Sequence, residues 1–518
     1  MEQTTEDKQT TENIGCWRSA MNRILWGIGL TGITWNFLGL DYVLPLIGVI
    51  QLLLGFRALR REHAAWYTGY GLAWIKVAGC LAVLILNATV YRTRVLESAA
   101  GTVLVWLGVA ATFGVLLSLR EGFRQAQRKV ELPVHTGCVD GMIVWNAGSL
   151  LLAKMGYHGL VLGLVLMILF FLLLRGMYRL SVELEKAGYE VQSLSVQPEL
   201  PEYMTDGKIA GWILGVLVVG IGCGYLFLNR YHMEWHQMEP AGAAQAGQEE
   251  AAEDLAQIRR NLAVLGFPED ILKDLRPEDV LACRGALQVL VSEEDYPVND
   301  GDEVRTQQGS STQIRTEYDV KELHLTGIAV ELPGDGAGSG VRDVPGDEGE
   351  NLKRWKLFHH FRWTKNPGFY GTEALQILPA YRMEMGGCVE DGPFTGQVLY
   401  DRNGETMAAD YYALGCETYD QDRMLFGGQT ATDVFAEFSM PGQGEHHRGY
   451  VSYEVRERES LVTVDSWVNY VHQSSGVQYP VQTAKEYRMA PGIFGNAFRV
   501  VQDALQFYES EISFYHVY

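Results

Sequence analysis

Residues 209–228 read Ile209-Ala-Gly-Trp-Ile-Leu-Gly-Val-Leu-Val-Val-Gly-Ile-Gly-Cys-Gly-Tyr-Leu-Phe-Leu228, a stretch without a charged side chain. About twenty such residues are enough for a helix to cross the roughly 30 Å hydrocarbon core of a bilayer. Apolar runs dominate the sequence before this stretch, and the sequence after it is acidic with strand-like alternation. We therefore predict a membrane α-helical bundle followed by a soluble antiparallel β-sandwich or jelly-roll-like domain, with a small helical segment before the strands.

The distribution of charge follows the same division. The chain has 518 residues and a formal net charge of −21. Residues 1–229 contain 18 Lys and Arg against 16 Asp and Glu, whereas residues 230–518 contain 24 against 47. An acidic soluble half is repelled by phosphate backbones, which argues against a nucleic-acid partner. The seven cysteines include no Cys-x-x-Cys pair, and the common catalytic motifs do not occur, so the sequence predicts neither a metal site nor a cofactor.

Apolar runs predict about seven transmembrane helices in a domain covering residues 21–230, after a polar N-terminal tail at 1–20. The predicted spans are 21–40, 42–56, 65–90, 99–119, 142–153, 159–174 and 209–228. Loops rich in Lys and Arg alternate with loops that hold few. The positive-inside rule then predicts a multi-pass plasma-membrane protein with a cytoplasmic N-terminus and an extracytoplasmic C-terminal domain. The short span 142–153 is decisive, because the C-terminal domain is cytoplasmic if that span does not cross.

Polar residues within the spans are candidates for function. Lys76 lies deep inside a predicted span, where burying its charge costs on the order of 3 kcal/mol. Two interpretations stand: Lys76 contacts an ion or substrate, or nearby amides solvate it. The candidate amides are Asn36, Asn87 and Asn146.

Glycines at four-residue spacing occur in the last span, at Gly211 and Gly215 and again at Gly220 and Gly224. Small residues at this spacing let two helices approach closely. They predict either packing within one bundle or a homo-oligomer through this face.

The soluble half divides by its pattern into a linker at 231–254, a helical segment at 255–292 and a β-rich domain at 293–518. Phe267-Pro268 and Pro277 predict breaks between short helices. Alternation of apolar residues predicts strands, and Asn403-Gly404 predicts a two-residue hairpin turn. Gly- and Asp-rich sequence at 293–312 and 333–351 predicts loops. A C-terminal helix is predicted because apolar residues recur at helical spacing, at Phe494, Phe498, Val501, Leu505 and Tyr508.

Aromatic residues are dense in the predicted strands. Trp355, Trp363, Tyr370 and Tyr381 are the candidate ligand-binding residues, because an exposed aromatic row can stack on a glycan or a peptide. The alternative is packing in the core of the sheet. The predicted hairpin at Asn403-Gly404 also brings Cys388 towards Cys416. Two alternatives follow: a disulfide between them, or two free cysteines.

Two stretches resemble known sequences. Residues 41–62, which begin Asp41-Tyr-Val-Leu-Pro45, and residues 265–272, Leu265-Gly-Phe-Pro-Glu-Asp-Ile-Leu272, are similar to segments of uncharacterised multi-pass membrane proteins of Gram-positive bacteria. The resemblance implies a bacterial plasma-membrane protein and no particular activity.

Two functions are consistent with these patterns. The first is a non-enzymatic receptor or scaffold whose extracytoplasmic β-rich domain binds a ligand or partner. The second is a transporter or permease with a polar path near Lys76 and an accessory soluble domain. An ecto-enzyme is less favoured, because no catalytic motif supports it.

Overall fold

The computed structural model describes residues 2–32, 39–157, 159–191, 205–238, 249–296, 302–308, 311–317, 323–333, 353–365, 367–379, 389–420, 430–457, 463–476, 478–489 and 497–508. The chain forms two compact units, Met1–Leu228 and Asn229–Tyr518. The boundary falls at the end of the stretch 209–228, as its apolar composition predicts.

The first unit is helical. Its helices are α1 (Glu2–Gly32), α2 (Leu40–Leu59), α3 (Ala64–Leu86), α4 (Arg92–Glu97), α5 (Ala99–Lys129), α6 (Gly137–Lys154), α7 (Leu160–Lys186) and α8 (Asp206–Phe227). Within the described ranges, five helices are long and apolar enough to cross a membrane: α2, α3, α5, α7 and α8. These five fit a multi-pass membrane protein. The predicted number of seven is not confirmed, because α1 and α6 are not among the five.

The predicted polar tail at 1–20 is not separate from the bundle. Helix α1 begins at Glu2 and continues through this boundary. Trp17 is fully buried, and its indole N–H donates to the carbonyl of Ser181 on α7. Rings of Trp66, Phe123 and Tyr189 surround the Trp17 side chain at centroid distances of 6.0, 6.4 and 4.8 Å. An indole with this many aromatic neighbours holds the middle of α1 in the core.

Glycines do bring helices together, and two of these close approaches join α1 and α2. A Cβ at Gly27 would lie 2.8 Å from the carbonyl oxygen of Gly48, and a Cβ at Gly55 would lie 2.8 Å from that of Ala20. Side chains at these positions would force the two helices apart. In α8, a Cβ at Gly224 would lie 3.0 Å from the carbonyl oxygen of Ala88, just after α3.

The remaining glycines of α8 divide into two kinds. Gly220 contacts Ile85 of α3, so Gly220 and Gly224 serve packing within the bundle. Gly211 and Gly215 have no atom of the described chain within 4 Å of a built Cβ. Of the four glycines at four-residue spacing, this second pair therefore leaves room for another helix.

The second unit is mainly β-structure. Its strands are β1 (His236–Gln237), β2 (Gln288–Tyr296), β3 (Asp302–Gln308), β4 (Ser311–Glu317), β5 (Leu323–Leu332), β6 (Lys353–Trp363), β7 (Glu373–Pro379), β8 (Val389–Arg402), β9 (Glu405–Ala409), β10 (Ala413–Asp420), β11 (Thr430–Phe438), β12 (Glu445–Glu457), β13 (Thr463–Gln473) and β14 (Phe498–Tyr508). Its helices are α9 (Glu249–Val264), α10 (Glu269–Asp274), α11 (Pro277–Ala282) and α12 (Ala484–Met489).

The strands form two antiparallel sheets and one hairpin. The seven-stranded sheet has the order β1-β9-β8-β12-β6-β5-β2, the five-stranded sheet has the order β10-β11-β7-β13-β14, and β3 pairs with β4. The two sheets face each other, since Phe361 of β6 stacks on Phe438 of β11 at 5.2 Å. The His359 ring also bonds to Ser466 Oγ of β13 at 2.8 Å. This arrangement confirms an antiparallel, sheet-rich soluble part.

The predicted hairpin turn at Asn403-Gly404 and the predicted alternation of β6 are both found in the structure. Asn403 and Gly404 adopt positive φ angles of 54° and 83°, and Arg402 pairs with Glu405 across them. This is the backbone that a two-residue hairpin requires. The predicted alternation of β6 is also confirmed, because Phe361 and its i±2 neighbours line the face between the two sheets.

Three predicted boundaries are wrong. The linker at 231–254 includes β1, which pairs with β9, and the loop at 293–312 contains parts of three strands. The helical segment ends at Ala282, since β2 begins at Gln288. The loop at 333–351 lies outside the described residues apart from Pro333.

The predicted C-terminal helix is a strand. Residues 498–508 form β14, which pairs with β13 without a register shift from Gln473↔Phe498 to Thr463↔Tyr508. The sequence of this segment is compatible with a helix and with a strand. Its apolar residues recur at helical spacing, but they include Val, Phe and Tyr, which favour strands. A neighbouring strand with a full ladder of hydrogen-bond partners decides in favour of β-structure.

The three helices α9, α10 and α11 cover the outer face of the seven-stranded sheet. Phe267, between α9 and α10, is buried and packs edge-on against Phe358 of β6 at 5.5 Å. Ile258 and Leu262 of α9 share this core with Ile328 of β5. The helical segment is therefore part of the β-rich unit, and the predicted boundary at 293 would divide one core.

A buried carboxylate fixes α11 on this sheet. Asp279 is 1% exposed, and its Oδ1 lies 3.5 Å from the ammonium of Lys356, which is itself buried. The Tyr450 hydroxyl donates to Asp279 Oδ2 at 2.7 Å, and the hydroxyls of Thr395 and Ser452 donate to Oδ1 at 2.5 and 3.1 Å. A buried ion pair offsets its desolvation only with such additional hydrogen bonds.

A second buried carboxylate fixes α10. Arg448 of β12 donates from Nε to Asp274 at 2.7 Å and from Nη1 to Asp401 at 3.0 Å. His360 Nε2 lies 3.7 Å from Asp274. Burial by itself raises the pKa of Asp274, but the contacts with His360 and Arg448 outweigh burial and hold this pKa below its usual value.

We predict that residues 229–518 fold as a soluble unit and that residues 313–518 do not. The shorter fragment lacks β1, β2 and α9–α11, so it exposes the apolar face around Phe358. Thermal melting followed by circular dichroism checks this prediction. A cooperative melt of the 313–518 fragment would contradict the assignment of the helices to this core.

We also predict that Asp274→Asn destabilises the second unit by about 2–3 kcal/mol at pH 7, because it removes a buried carboxylate from the half-buried guanidinium of Arg448. The folded pKa of Asp274 lies below its unfolded value, so its stabilisation is present above that unfolded value, about 4, and is lost as pH falls through the folded pKa.

Urea unfolding of residues 229–518 between pH 7 and pH 3 measures this dependence. Asp270→Asn is the matched control, because Asp270 lies on the same helix in an exposed pair with Arg362. The pH dependence should be weaker in Asp274→Asn than in Asp270→Asn. Equal profiles would show that Asp274 does not contribute.

Candidate binding face of the five-stranded sheet

The predicted aromatic binding row is mostly core. Trp355 and Trp363 are 3% and 4% exposed, and the Trp363 indole donates to the Tyr470 hydroxyl at 3.0 Å between the two sheets. Tyr370 is half-buried, with its ring centroid 5.5 Å from that of His447. Tyr381 lies outside the described residues. The prediction of an exposed row is wrong for both tryptophans, because they lie on the strand face that the second sheet covers.

The polar residues of the bundle do not form one site. Lys76 of α3 donates to Thr112 Oγ1 of α5 at 2.7 Å, and Thr112 in turn donates to the carbonyl of Gly108. Asn146 Nδ2 donates to the carbonyl of Met142 one turn earlier in its own helix. Asn87 is buried at the end of α3, and Asn36 lies outside the described residues. Among the described residues, a threonine therefore solvates Lys76.

A row of polar side chains crosses the outer face of the five-stranded sheet. Asn469 Nδ2 donates to Gln376 Oε1 at 2.8 Å, from β13 to β7. Gln376 Nε2 then donates to Asp433 Oδ2 of β11 at 2.7 Å and lies 2.9 Å from the Tyr419 hydroxyl of β10. The Tyr419 hydroxyl donates to the same Asp433 oxygen at 2.5 Å. Four neighbouring strands thus contribute one polar side chain each.

Helix α12 completes this arrangement. Arg488, at the end of α12, donates from Nε to Gln376 Oε1. We call Asn469, Gln376, Asp433, Tyr419 and Arg488 the Gln376 cluster. The first three are buried, whereas Tyr419 and Arg488 are half-buried. The cluster therefore has an interior that fixes its geometry and a rim that reaches solvent.

A charged pair lies beside the cluster. Lys485 of α12 contacts Glu417 at 2.6 Å and Glu437 at 3.0 Å, and its ammonium lies 6.0 Å from the ring centroid of Phe435. Burial alone lowers the pKa of Lys485, but the two glutamates outweigh burial and raise it. Lys485 consequently stays charged at neutral pH.

The hydroxyl of Tyr419 is held as a donor. Burial, and then the hydrogen bond to Asp433, raise the pKa of Tyr419 far above the usual value for tyrosine. The phenol therefore remains protonated at every physiological pH. The rim offers the aromatic face of Tyr419 and the guanidinium of Arg488, a combination that suits a hydroxyl-rich or peptide ligand.

Metal chemistry finds no support in this unit. Across the part of the chain that the structure describes, no group of three or more His, Cys, Asp or Glu side chains is placed to hold a metal ion. Cys416 lies on β10, and its predicted partner Cys388 lies outside the described residues, so the disulfide stays a prediction.

Comparison with known proteins gives no relative. No family model matches the chain, nor does any curated protein or solved structure. The resemblance of residues 41–62 and 265–272 to uncharacterised membrane proteins therefore remains a prediction. Function has to be argued from the described residues themselves.

The Gln376 cluster was missed by sequence reasoning, although a signal existed. Gln376 and Asn469 each have apolar neighbours on both sides, in Leu375-Gln376-Ile377 and Val468-Asn469-Tyr470. Such a residue costs stability unless it finds a partner. Only the strand register shows that these polar side chains are partners of each other. In that register, Gln376 lies opposite Asn469 on one side and Phe435 on the other.

Proposed function

We propose that this protein is a non-enzymatic receptor or scaffold of the bacterial plasma membrane, whose β-rich unit binds an envelope glycan outside the cytoplasm. The observation that carries the proposal is the Gln376 cluster. Its buried members hold the half-exposed Tyr419 and Arg488 in fixed positions, and such preorganisation lowers the entropic cost of binding. Sugar hydroxyls both donate and accept hydrogen bonds, as these side chains do.

The helix directions of the first unit support an extracytoplasmic location. Contacts of Trp17 with Trp66, Phe123 and Tyr189 place the start of α3 and the ends of α5 and α7 at one end of the bundle. Asp206 brings the start of α8 to the same end, since it pairs with Arg57 at 2.8 Å. Helix α8 therefore leaves from this end, and the second unit follows its far terminus.

Basic residues concentrate at the end where α8 begins. They are Arg18, Arg23, Arg57, Arg60, Arg61, Arg120, Arg124, Arg128, Lys129, Arg175, Arg179, Lys186 and Lys208. The opposite end of the helices has Arg92, Arg94 and Lys154. Under the positive-inside rule the basic end is cytoplasmic.

Helix α6 supports the same orientation. Gly141 of α6 packs on Leu173 of α7, and Cys138 packs on Gly176, so α6 runs antiparallel to α7. We therefore propose that α1 and α6 cross together with the five apolar helices, which gives seven spans. A homo-oligomer through Gly211 and Gly215 stays part of the proposal, because that face of α8 is open.

The transporter alternative has weaker support. The ammonium of Lys76 donates to the hydroxyl of Thr112, which is itself bonded to the carbonyl of Gly108. A permease needs a polar path that continues through the bundle. We therefore place the function in the second unit.

The orientation predicts the labelling of two introduced cysteines. Gln443 lies exposed in the turn before β12, and Ala187 lies exposed after α7 at the basic end. A membrane-impermeant maleimide should label Gln443→Cys in intact cells and Ala187→Cys only after lysis. The reverse pattern would contradict the proposed sidedness.

The binding proposal predicts that the protein retains isolated peptidoglycan strands in a co-sedimentation assay. Tyr419→Ala should weaken this binding by about tenfold, because it removes the half-buried aromatic ring of the rim. Trp235→Ala is the control, since Trp235 is a half-buried aromatic that packs on Tyr400 of the other sheet. Equal binding by both variants, or no binding at all, would contradict the glycan proposal.

A further inference from the structure

A shallow depression of about 300 Å³ lies between α1 and α2. One end is polar and is lined by Ser19, Asn22, Arg23 and Gln51. These side chains supply hydroxyl, amide and guanidinium groups, which bind phosphate oxygens. The polar end thus has the chemistry of an anion site.

The other end of the depression is apolar. Trp26, Leu30 and Ile47 line it, and Trp26 and Ile47 are 67% and 42% exposed. From Arg23 to Leu30 the helix rises by about 10 Å, so the lining changes from polar to apolar along the axis of α1. This gradient matches a molecule with an anionic head and an acyl chain.

The position of Arg23 is fixed by an ion pair. Arg23 Nη1 contacts Asp206 Oδ2 at the start of α8, and Arg23 keeps a 35% exposed side chain. Arginine has five N–H donors in a planar fork, so one bond to Asp206 leaves others for a ligand in the depression that Arg23 lines. The pair holds the guanidinium at the end of the bundle where basic residues concentrate.

We propose that this depression binds an anionic glycerophospholipid of the inner leaflet, with its phosphate on Arg23 and Asn22 and one acyl chain along Trp26, Leu30 and Ile47. Basic pockets between transmembrane helices on the cytoplasmic side are suited to such head groups. The site depends on the proposed orientation of the bundle, but not on the proposed glycan face. Failure of one therefore leaves the other intact.

The full-length protein in detergent tests the site by thermal-shift titration with phosphatidylglycerol, phosphatidylcholine of the same acyl chains, and inorganic phosphate. Phosphatidylglycerol should bind about tenfold more tightly than phosphatidylcholine, because the choline cation of phosphatidylcholine neutralises the charge of its phosphate and is repelled by the basic residues at this end of the bundle. Phosphate alone should produce no shift in Tm at matched concentration. Equal binding of the two lipids overturns the proposal, and a full shift with phosphate alone overturns its lipid part.

Matched variants separate this site from general attraction to the bilayer. Ile47→Trp should fill the apolar end and weaken phosphatidylglycerol binding by about tenfold, whereas Val218→Trp, at a 70% exposed position of α8, should not. Arg23→Lys keeps the charge that faces Asp206 but loses the fork, so it should reduce the preference for phosphatidylglycerol several-fold.

Arg18→Lys is the control for Arg23→Lys, because Arg18 does not line the depression and pairs with Glu185 at 3.7 Å. Unchanged binding in both Ile47→Trp and Arg23→Lys would overturn the proposal. Wild-type melting of all four variants without lipid confirms that each variant is folded.

Discussion

The ion pairs of Asp279 with Lys356 and of Asp274 with Arg448 are the interactions on which the soluble unit depends. Both join a short helix to the outer face of the seven-stranded sheet, and three of the four side chains are almost fully buried. Charges in such a place are costly unless every one is paired. Since α10 and α11 have six residues each, too few to be stable alone, these pairs and the surrounding apolar core hold them.

The attachment of these helices determines which faces of the two sheets are covered. With α9–α11 on one outer face and the second sheet on the other, the seven-stranded sheet has no large free surface among its described residues. The five-stranded sheet differs, since among the described residues the short α12 is the helix that packs on its outer face. Polar side chains therefore accumulate there, and the Gln376 cluster is the face left for recognition.

The bundle uses the same physical device at its basic end. Asp206 accepts from arginines of α1 and α2, so one carboxylate connects three helices. Beside it, the Trp17 indole lies among aromatic rings from α3, α5 and the end of α7. Together they order the helix ends near the proposed lipid site, where a mobile Arg23 would bind weakly.

The sequence by itself determined the features that rest on local signals. The uncharged stretch 209–228 separated the two units, and five of the predicted spans correspond to helices apolar enough to cross a membrane. Asn403-Gly404 set a hairpin, because positive φ angles at two successive positions favour these residue types. The alternation of side chains along β6 identified the face that packs on the second sheet, because successive side chains of a strand point to opposite faces.

Only the tertiary structure decided what depends on partners distant in sequence. Phe498–Tyr508 satisfied the helical period, yet β13 supplied a ladder that made it a strand. Trp355 and Trp363 were candidates for an exposed face until the second sheet covered them. Gln376 found its partners on strands 57 and 93 residues away, and no local pattern encodes such a register. Spacing along a chain determines which face a side chain occupies, whereas packing determines what that face meets.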